Sequence, residues 1–169
     1  NVFMNTTFPA TGGRPELGPL PRWTVLYLLT QDARARESML ANVDASAAVS
    51  IQMRDESTGW PIDLVTYPGV STHPNANSSP ALPAVTGSTP WSPDAAHQAS
   101  FGYVPYLVTG DAFYQDSMMF WANYNVFKTP TEAPYREGVK MLVSNNEVRG
   151  QAWSMRSIAE AAWSLPDSH

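Results

Sequence analysis

Apolar residues recur at helical spacing on both sides of a short polar corner, Thr109-Gly110-Asp111, near the middle of the chain. The apolar positions are Phe101, Val104, Tyr106, Leu107 and Val108 before the corner, and Phe113, Met118, Met119, Trp121, Ala122 and Val126 after it. Residues three and four positions apart share one face of a helix. Gly110 can adopt the left-handed conformation that ends a helix, and Asp111 can cap the N-terminus of the next helix. The pattern therefore predicts a helical hairpin over residues 97–125.

The same pattern occurs earlier in the chain. A predicted helix from about Pro21 to Thr30 is followed by Asp32, which we expect to cap a second helix that extends to about Ala48. The segment YLLTQDARARESML, residues 27–40, aligns without a gap on YLVTGDAFYQDSMM, residues 106–119. Two unrelated hairpins can share turn residues, because helix–turn–helix chemistry is limited. The match continues into both helices, so we interpret the two hairpins as a structural repeat.

A last helix is predicted from Glu147 to Leu165. Its apolar positions, which we expect to face the core, are Val148, Ala152, Trp153, Met155, Ile158, Ala162 and Trp163. Pro166-Asp167 then repeats the corner a third time, without a following helix. Because the chain also begins at Asn1 rather than Met, we interpret it as a fragment of a longer protein whose flanking domains are its partners.

Two segments depart from the helical pattern. Residues 51–55 and 61–65 flank a loop that contains Gly59, and this arrangement predicts a small β-hairpin insertion. Residues 66–93 are rich in Pro and Ser and lack periodicity, so they are predicted to form a long loop. The expected fold is therefore mainly α, with stacked antiparallel helical hairpins in one domain over residues 1–169.

Composition excludes several classes of function. The 169 residues are 43% hydrophobic and 15% charged, which is enough for one core. The net charge of −5 and the absence of a basic run argue against a nucleic-acid partner. No segment approaches the roughly 20 apolar residues of a membrane helix, so no membrane partner is expected. With no cysteine and three scattered histidines, neither disulfides nor a metal site is expected, and no cofactor motif is present.

Successive helical hairpins with long loops on one side resemble the (α/α) toroids. The run YVPYLVTGD from Tyr103 and the run NEVRGQAW from Asn146 also resemble segments of large uncharacterised bacterial proteins with helical regions. Toroids are common among carbohydrate-active enzymes, namely glycoside hydrolases and polysaccharide lyases. The resemblance implies an incomplete toroid-like array and a polysaccharide as candidate partner. It includes no catalytic signature, and fold analogy alone is a weak argument for function.

Within this resemblance, His97, Tyr103 and Arg149 are the catalytic candidates. A lyase needs a base near the sugar C5 proton, which His97 or Tyr103 would supply, and a group that neutralises the adjacent carboxylate. Arg149, with Asn145 or Asn146, would fill that second role. The alternative is structural: His97 would cap or pack at a helix start, and Arg149 would bridge to a nearby carboxylate.

Carboxylates and aromatic residues supply further candidates. Asp94, Asp111 and Glu147 are possible members of the carboxylate pair that glycoside hydrolysis needs, although Asp111 already has a capping role. Trp60 and Trp91 lie in predicted loops and are the candidate stacking platforms for sugar rings.

Two functions therefore remain open from the sequence. One is a carbohydrate-active region that binds or cleaves a polysaccharide. The other is a non-catalytic helical scaffold or interaction domain of a larger bacterial protein, whose aromatic residues serve the core. Convergence of the three catalytic candidates on an open pocket edged by Trp60 or Trp91 would favour the enzyme. Buried or scattered positions would favour the scaffold.

Overall fold

The structure, a computed structural model, describes residues 14–73, 78–79, 81–82, 91, 93–128, 136–137, 140–141 and 148–167. These residues are mainly helical. The helices are α1 (Arg22–Thr30), α2 (Ala33–Ser46), α3 (Tyr103–Thr109), α4 (Ala112–Phe127) and α5 (Val148–Ser164), with a 3-10 turn at Ala95–His97. The short strands β1 (Arg136–Glu137) and β2 (Lys140–Met141) pair antiparallel. The predicted helical hairpins, α1–α2 and α3–α4, are confirmed.

The two hairpin corners use the same hydrogen bonds. Thr30 Oγ1 donates to the carbonyl four residues earlier at 2.6 Å, and Thr109 Oγ1 does so at 2.7 Å. Each threonine oxygen then accepts from the N–H of the following aspartate, at 3.2 Å for Asp32 and 3.1 Å for Asp111. Each aspartate caps the next helix by accepting from the N–H two residues on, at 2.8 Å and 2.9 Å respectively. The Thr-x-Asp sequence therefore builds both corners locally.

The middle residue of each corner is left-handed. Gln31 has φ 54° and Gly110 has φ 68°, and each N–H bonds the carbonyl four residues earlier at 2.8 Å. Glycine adopts this conformation without a Cβ penalty, whereas glutamine accepts some strain. The shared geometry supports the interpretation of the two hairpins as a repeat.

Helix α4 supplies most of the main core. Its buried residues are Tyr114, Met118, Met119, Phe120, Trp121, Ala122, Tyr124, Asn125 and Phe127. The Trp121 ring lies 5.0 Å from the Phe101 ring, and both belong to a cluster with Val43 and Ile51. A helix that is apolar on nearly all sides needs neighbours on several sides. Here α3, α5 and residues of α2 provide them.

The predicted inner face of α5 is wrong. The helix buries Gly150, Ser154, Ser157 and Ala161, whereas Met155 is 63% exposed and Trp163 is 88% exposed. Small side chains allow close approach to α4 and to the 3-10 turn, and these are the two elements that α5 contacts most. Val148, Met155 and Trp163 consequently face outward, whereas Ile158 packs against the cluster of Met118 and Ala161.

The structure does not confirm the predicted β-hairpin at residues 51–65. All of this segment is described, and a single antiparallel bridge joins Arg54 to Pro61. Pairing does not extend because Pro61 has no N–H, and because Asp63 Oδ1 accepts from the N–H groups of Val65 and Thr66 at 2.7 and 2.8 Å. The hydrogen bonds of the Asp63 side chain thus stabilise a turn where a second strand was predicted.

Candidate functional site

The 3-10 turn at Ala95–His97 brings His97 to the first turn of α5. Asp94 caps this turn, because its Oδ1 accepts from the N–H of Ala96 at 2.7 Å. The other carboxylate oxygen, Oδ2, lies 3.5 Å from His97 Nδ1. On the opposite side of the ring, Arg149 Nη2 lies 3.0 Å from His97 Nε2. Two of the three catalytic candidates predicted from the sequence, His97 and Arg149, are therefore in direct contact.

The contact with Arg149 indicates which nitrogen of the His97 ring carries the proton. A guanidinium has donors and no acceptor, so Nε2 must supply its lone pair to Arg149. The ring proton then belongs on Nδ1, facing Asp94. In this arrangement the Nε2 lone pair of His97 is already engaged by the Arg149 guanidinium.

Charged neighbours hold the Asp94 carboxylate in its ionised form. Burial alone would raise the pKa of Asp94. The N–H of Ala96 and the nearby charge of Lys128, whose Nζ lies 3.4 Å from Oδ1, outweigh burial, so the pKa lies below its ordinary value. Asp94 therefore remains an acceptor for His97 over most of the pH range.

Arg14 closes the other side of the turn. Its Nη2 donates to the main-chain carbonyl of His97 at 3.1 Å, and its Nε lies 2.9 Å from Glu16 Oε1. The Arg14 and Glu16 side chains are only 14% and 7% exposed, and that of His97 is 10% exposed. The side chains around His97 are thus closely spaced charged and polar groups with little access to solvent.

The other predicted site residues do not join this cluster. Tyr103 lies between two apolar clusters, one with Trp23 and Met39 and one with Met118 and Ala161. Its ring is therefore used in packing.

The two tryptophan candidates are also separate from each other. Trp60 is 55% exposed on the turn between Arg54 and Pro61. Trp91 is half-buried against the main core. Asn145, Asn146 and Glu147 lie outside the described residues.

A second polar cluster, which the sequence analysis missed, begins about two turns further along α5. Arg156 donates to the carbonyls of Gly18 at 2.6 Å and Gln98 at 3.1 Å. Ser100 Oγ donates to Glu160, with 2.9 and 2.8 Å to its two oxygens. Burial lowers the pKa of Arg156 to about 10 and raises the pKa of Glu160. The spacing of Arg156 and Glu160, one helical turn apart, was the sequence signal for this pair.

Among the cavities in the described part of the chain, two lie next to charged side chains. The larger has a volume of about 560 Å³ and lies along α1 and α2, lined by Pro15, Arg22, Trp23, Leu26, Thr30, Asp32, Arg34, Ala35 and Ser38. The smaller, about 180 Å³, lies next to the ion pair of Arg54 and Asp116, whose atoms are 2.7 Å apart. Neither is lined by His97 or Arg149, so the contacting catalytic candidates do not lie in either cavity.

Comparison of the chain with known protein families, curated proteins and solved structures finds no match. Within residues 14–73, 93–128 and 148–167, no three His, Asp or Glu side chains are grouped to hold a metal ion. None of the helices described is long and apolar enough to cross a membrane.

Proposed function

We propose that this chain is a non-catalytic helical scaffold domain, an array of hairpins whose outermost helix packs against a further helical element. Helix α5 carries the proposal, because it is suited to packing on two opposite faces. Its inner face, Gly150, Ser154, Ser157 and Ala161, is buried against the body. Its outer face contains no charged residue and exposes Val148, Met155 and Trp163 by 87%, 63% and 88%. Large exposed apolar faces mark interaction surfaces.

The polar cluster at His97 supports the same proposal. Arg149 contacts His97 Nε2, Asp94 lies 3.5 Å from His97 Nδ1, and Arg14 donates to the main-chain carbonyl of His97. These contacts join the segment before α1, the 3-10 turn and helix α5, which is a structural use of the three side chains. Tyr103 serves the apolar core on another side of α3.

A hydrophobic fluorescent dye tests the outer face of α5, because such a dye binds exposed apolar surface whatever partner covers it in the assembly. We expect the purified chain to enhance the fluorescence of anilinonaphthalene sulfonate, and we expect the double substitution M155S/W163S to lower the enhancement more than W60S does. W60S is the matched control, because Trp60 is exposed on a turn away from helix α5. Equal fluorescence of M155S/W163S and the unsubstituted chain would contradict the proposal.

The second candidate function is the one implied by the resemblance: part of an (α/α) toroid that cleaves a uronate-containing polysaccharide. The contact of His97 with Arg149 favours it, since a lyase needs a base and a cation side by side. Arg149 would move from His97 Nε2 to the sugar carboxylate, and Nε2 would then take the C5 proton. The C5–H electron pair would form the C4–C5 double bond, and the C4–O bond would break. The leaving oxygen would take up a proton, and Arg149 would neutralise the sugar carboxylate. Under this hypothesis Trp60 and Trp91 are sugar platforms.

Ultraviolet absorbance of the unsaturated product tests this second candidate. Lyase function predicts that absorbance rises when the chain is mixed with a uronate polysaccharide, and that H97A and R149Q remove the rise. R22Q is the control, because Arg22 is an exposed arginine at the start of α1. If absorbance does not rise with the unsubstituted chain, and no binding to immobilised polysaccharide is measured, the second candidate is wrong.

A further inference from the structure

The outer face of α5 has the spacing of a helix-packing seam. Val148, Ala152, Met155, Ala159 and Ala162 are all exposed and recur at intervals of four, three, four and three residues, with Trp163 beside the last. This is the spacing at which one helix packs along another. Small residues alternate with large ones, so that a partner helix can approach closely between the side chains of Met155 and Trp163.

A second unpartnered apolar face lies on α1. Val25, Leu26, Leu28 and Leu29 are 38%, 44%, 42% and 78% exposed, and the buried residues of this helix are Trp23 and Thr24. The cavity of about 560 Å³ opens beside Leu26, between α1 and α2. Its lining includes the apolar side chains of Pro15, Trp23 and Ala35, and its volume is large enough for an indole side chain.

The two faces have complementary charges at matching positions. Arg22 lies four residues before Leu26 on the cavity rim, and Asp167 lies four residues after Trp163. If α5 lies antiparallel to α1 with Trp163 in the cavity, the Asp167 carboxylate comes close to the Arg22 guanidinium. Neither side chain has an ion pair within the described part of the chain.

We propose that these faces bind each other between copies of this chain, head to tail: Trp163 of one copy enters the α1–α2 cavity of the next. This inference rests on the proposed scaffold function and names its partner. The chain already stacks hairpins of its own kind, since α3–α4 packs beside α2. Because the two faces differ, a pair of copies still has one unoccupied α1 face and one unoccupied α5 face. Further copies can bind these faces and build a ring or a filament.

The surface available predicts weak association. Trp163 contributes roughly 200 Å², within the range of about 150–250 Å² that a large aromatic side chain buries. Helix α1 has nine residues and can cover only part of the 17-residue α5, so each partner should bury less than the ~800 Å² of a standard interface. We therefore expect assembly in the micromolar range of concentration.

Sedimentation velocity over a series of concentrations tests the contact. We expect the average mass of the unsubstituted chain to rise with concentration. W163S and L26E should each shift the midpoint at least about tenfold, as expected for a central interface residue. L29E serves as a second α1 variant, since Leu29 is 78% exposed and its substitution leaves the core untouched. W60S should assemble like the unsubstituted chain.

Mixing distinguishes head-to-tail assembly from a symmetric dimer. W163S keeps an intact α1 face and L26E keeps an intact α5 face, so an equimolar mixture should form a one-to-one heterodimer that grows no further. A symmetric α5 contact would instead leave L26E associated by itself and give no heterodimer. R22D should weaken assembly, and R22D/D167R on the same chain should restore it.

Several outcomes overturn the inference. These are a chain that stays monomeric at all concentrations, a symmetric dimer, or a loss of assembly in W60S as large as that in W163S. The dye experiment separates this failure from failure of the scaffold proposal. A monomer whose α5 face still enhances dye fluorescence rejects self-assembly and leaves the scaffold proposal standing, whereas loss of both signals rejects both.

Discussion

Gly102 is the position at which the smallest substitution should have the largest effect. It immediately precedes α3 and has φ +85°. A Cβ atom at this position would lie 2.6 Å from the main-chain oxygen of Tyr114 and 2.7 Å from the main-chain nitrogen of Met118. Both atoms belong to the backbone of α4, which cannot move aside like a flexible side chain. Gly102 therefore sets how closely α3 crosses α4.

The cost of G102A has two physical parts. A non-glycine residue in the left-handed region costs about 1–2 kcal/mol. Forcing an extra carbon into a packed site costs about 1–3 kcal/mol more. The free energy of unfolding should therefore fall by about 2–5 kcal/mol, a large part of the roughly 5–15 kcal/mol that stabilises a domain.

G110A is the matched control. Gly110 also has positive φ, at +68°, but a Cβ there would meet no atom within 4 Å. Gln31 occupies the equivalent position in the first corner. G110A should therefore cost only the backbone part, about 1–2 kcal/mol. Urea unfolding followed by far-ultraviolet circular dichroism measures both variants. If G102A destabilises the chain no more than G110A does, the close approach of α3 to α4 is wrong.

Three further predictions concern the caps and the polar clusters. D111A should lower the free energy of unfolding by about 1 kcal/mol, and D111N much less, as measured by urea unfolding. Hydrogen bonds from Ser57 and Tyr67 lower the pKa of Asp55 from 3.8 to about 2, so this group's contribution to stability is present above 3.8 and lost as pH falls through about 2. The stability difference between the unsubstituted chain and D55N, followed by thermal unfolding from about pH 5 to about pH 2, should shrink over that window, and a constant difference would contradict the assignment. R156M should cost about 2–4 kcal/mol because two main-chain carbonyls lose a charged donor, and R156K should recover part of it.

The helices and their corners followed from the sequence because their causes are local. A threonine, a left-handed residue and an aspartate close each corner through bonds that span at most four residues. The predicted start of α5 near Glu147 and its end near Leu165 also agree with the observed Val148–Ser164. The short-range β-hairpin prediction was less successful, because side-chain bonds of Asp63 competed with strand pairing.

The site was predictable only in part. His97 and Arg149 were chosen for their chemistry, and the fold does bring them within 3.0 Å. Tyr103 was chosen in the same way and is used in the core. Arg14 and Asp94 contact His97, and neither contact followed from the sequence pattern. Arg14 is distant in the chain, and Asp94 lies in a turn without apolar periodicity.

The sequence by itself determined that the chain is mainly helical and where its hairpins turn, because capping and helical periodicity act over a few residues. Only the tertiary structure decided which face of each helix is buried. In α5 the pattern identified a large apolar face correctly, yet close packing against α4 requires the small residues of the opposite side, Gly150, Ser154 and Ser157. Periodicity shows which face of a helix is apolar, and it carries no information about the shape of the helices that pack against that face. The exposed seam with Met155 and Trp163 was therefore visible only once the helices were packed.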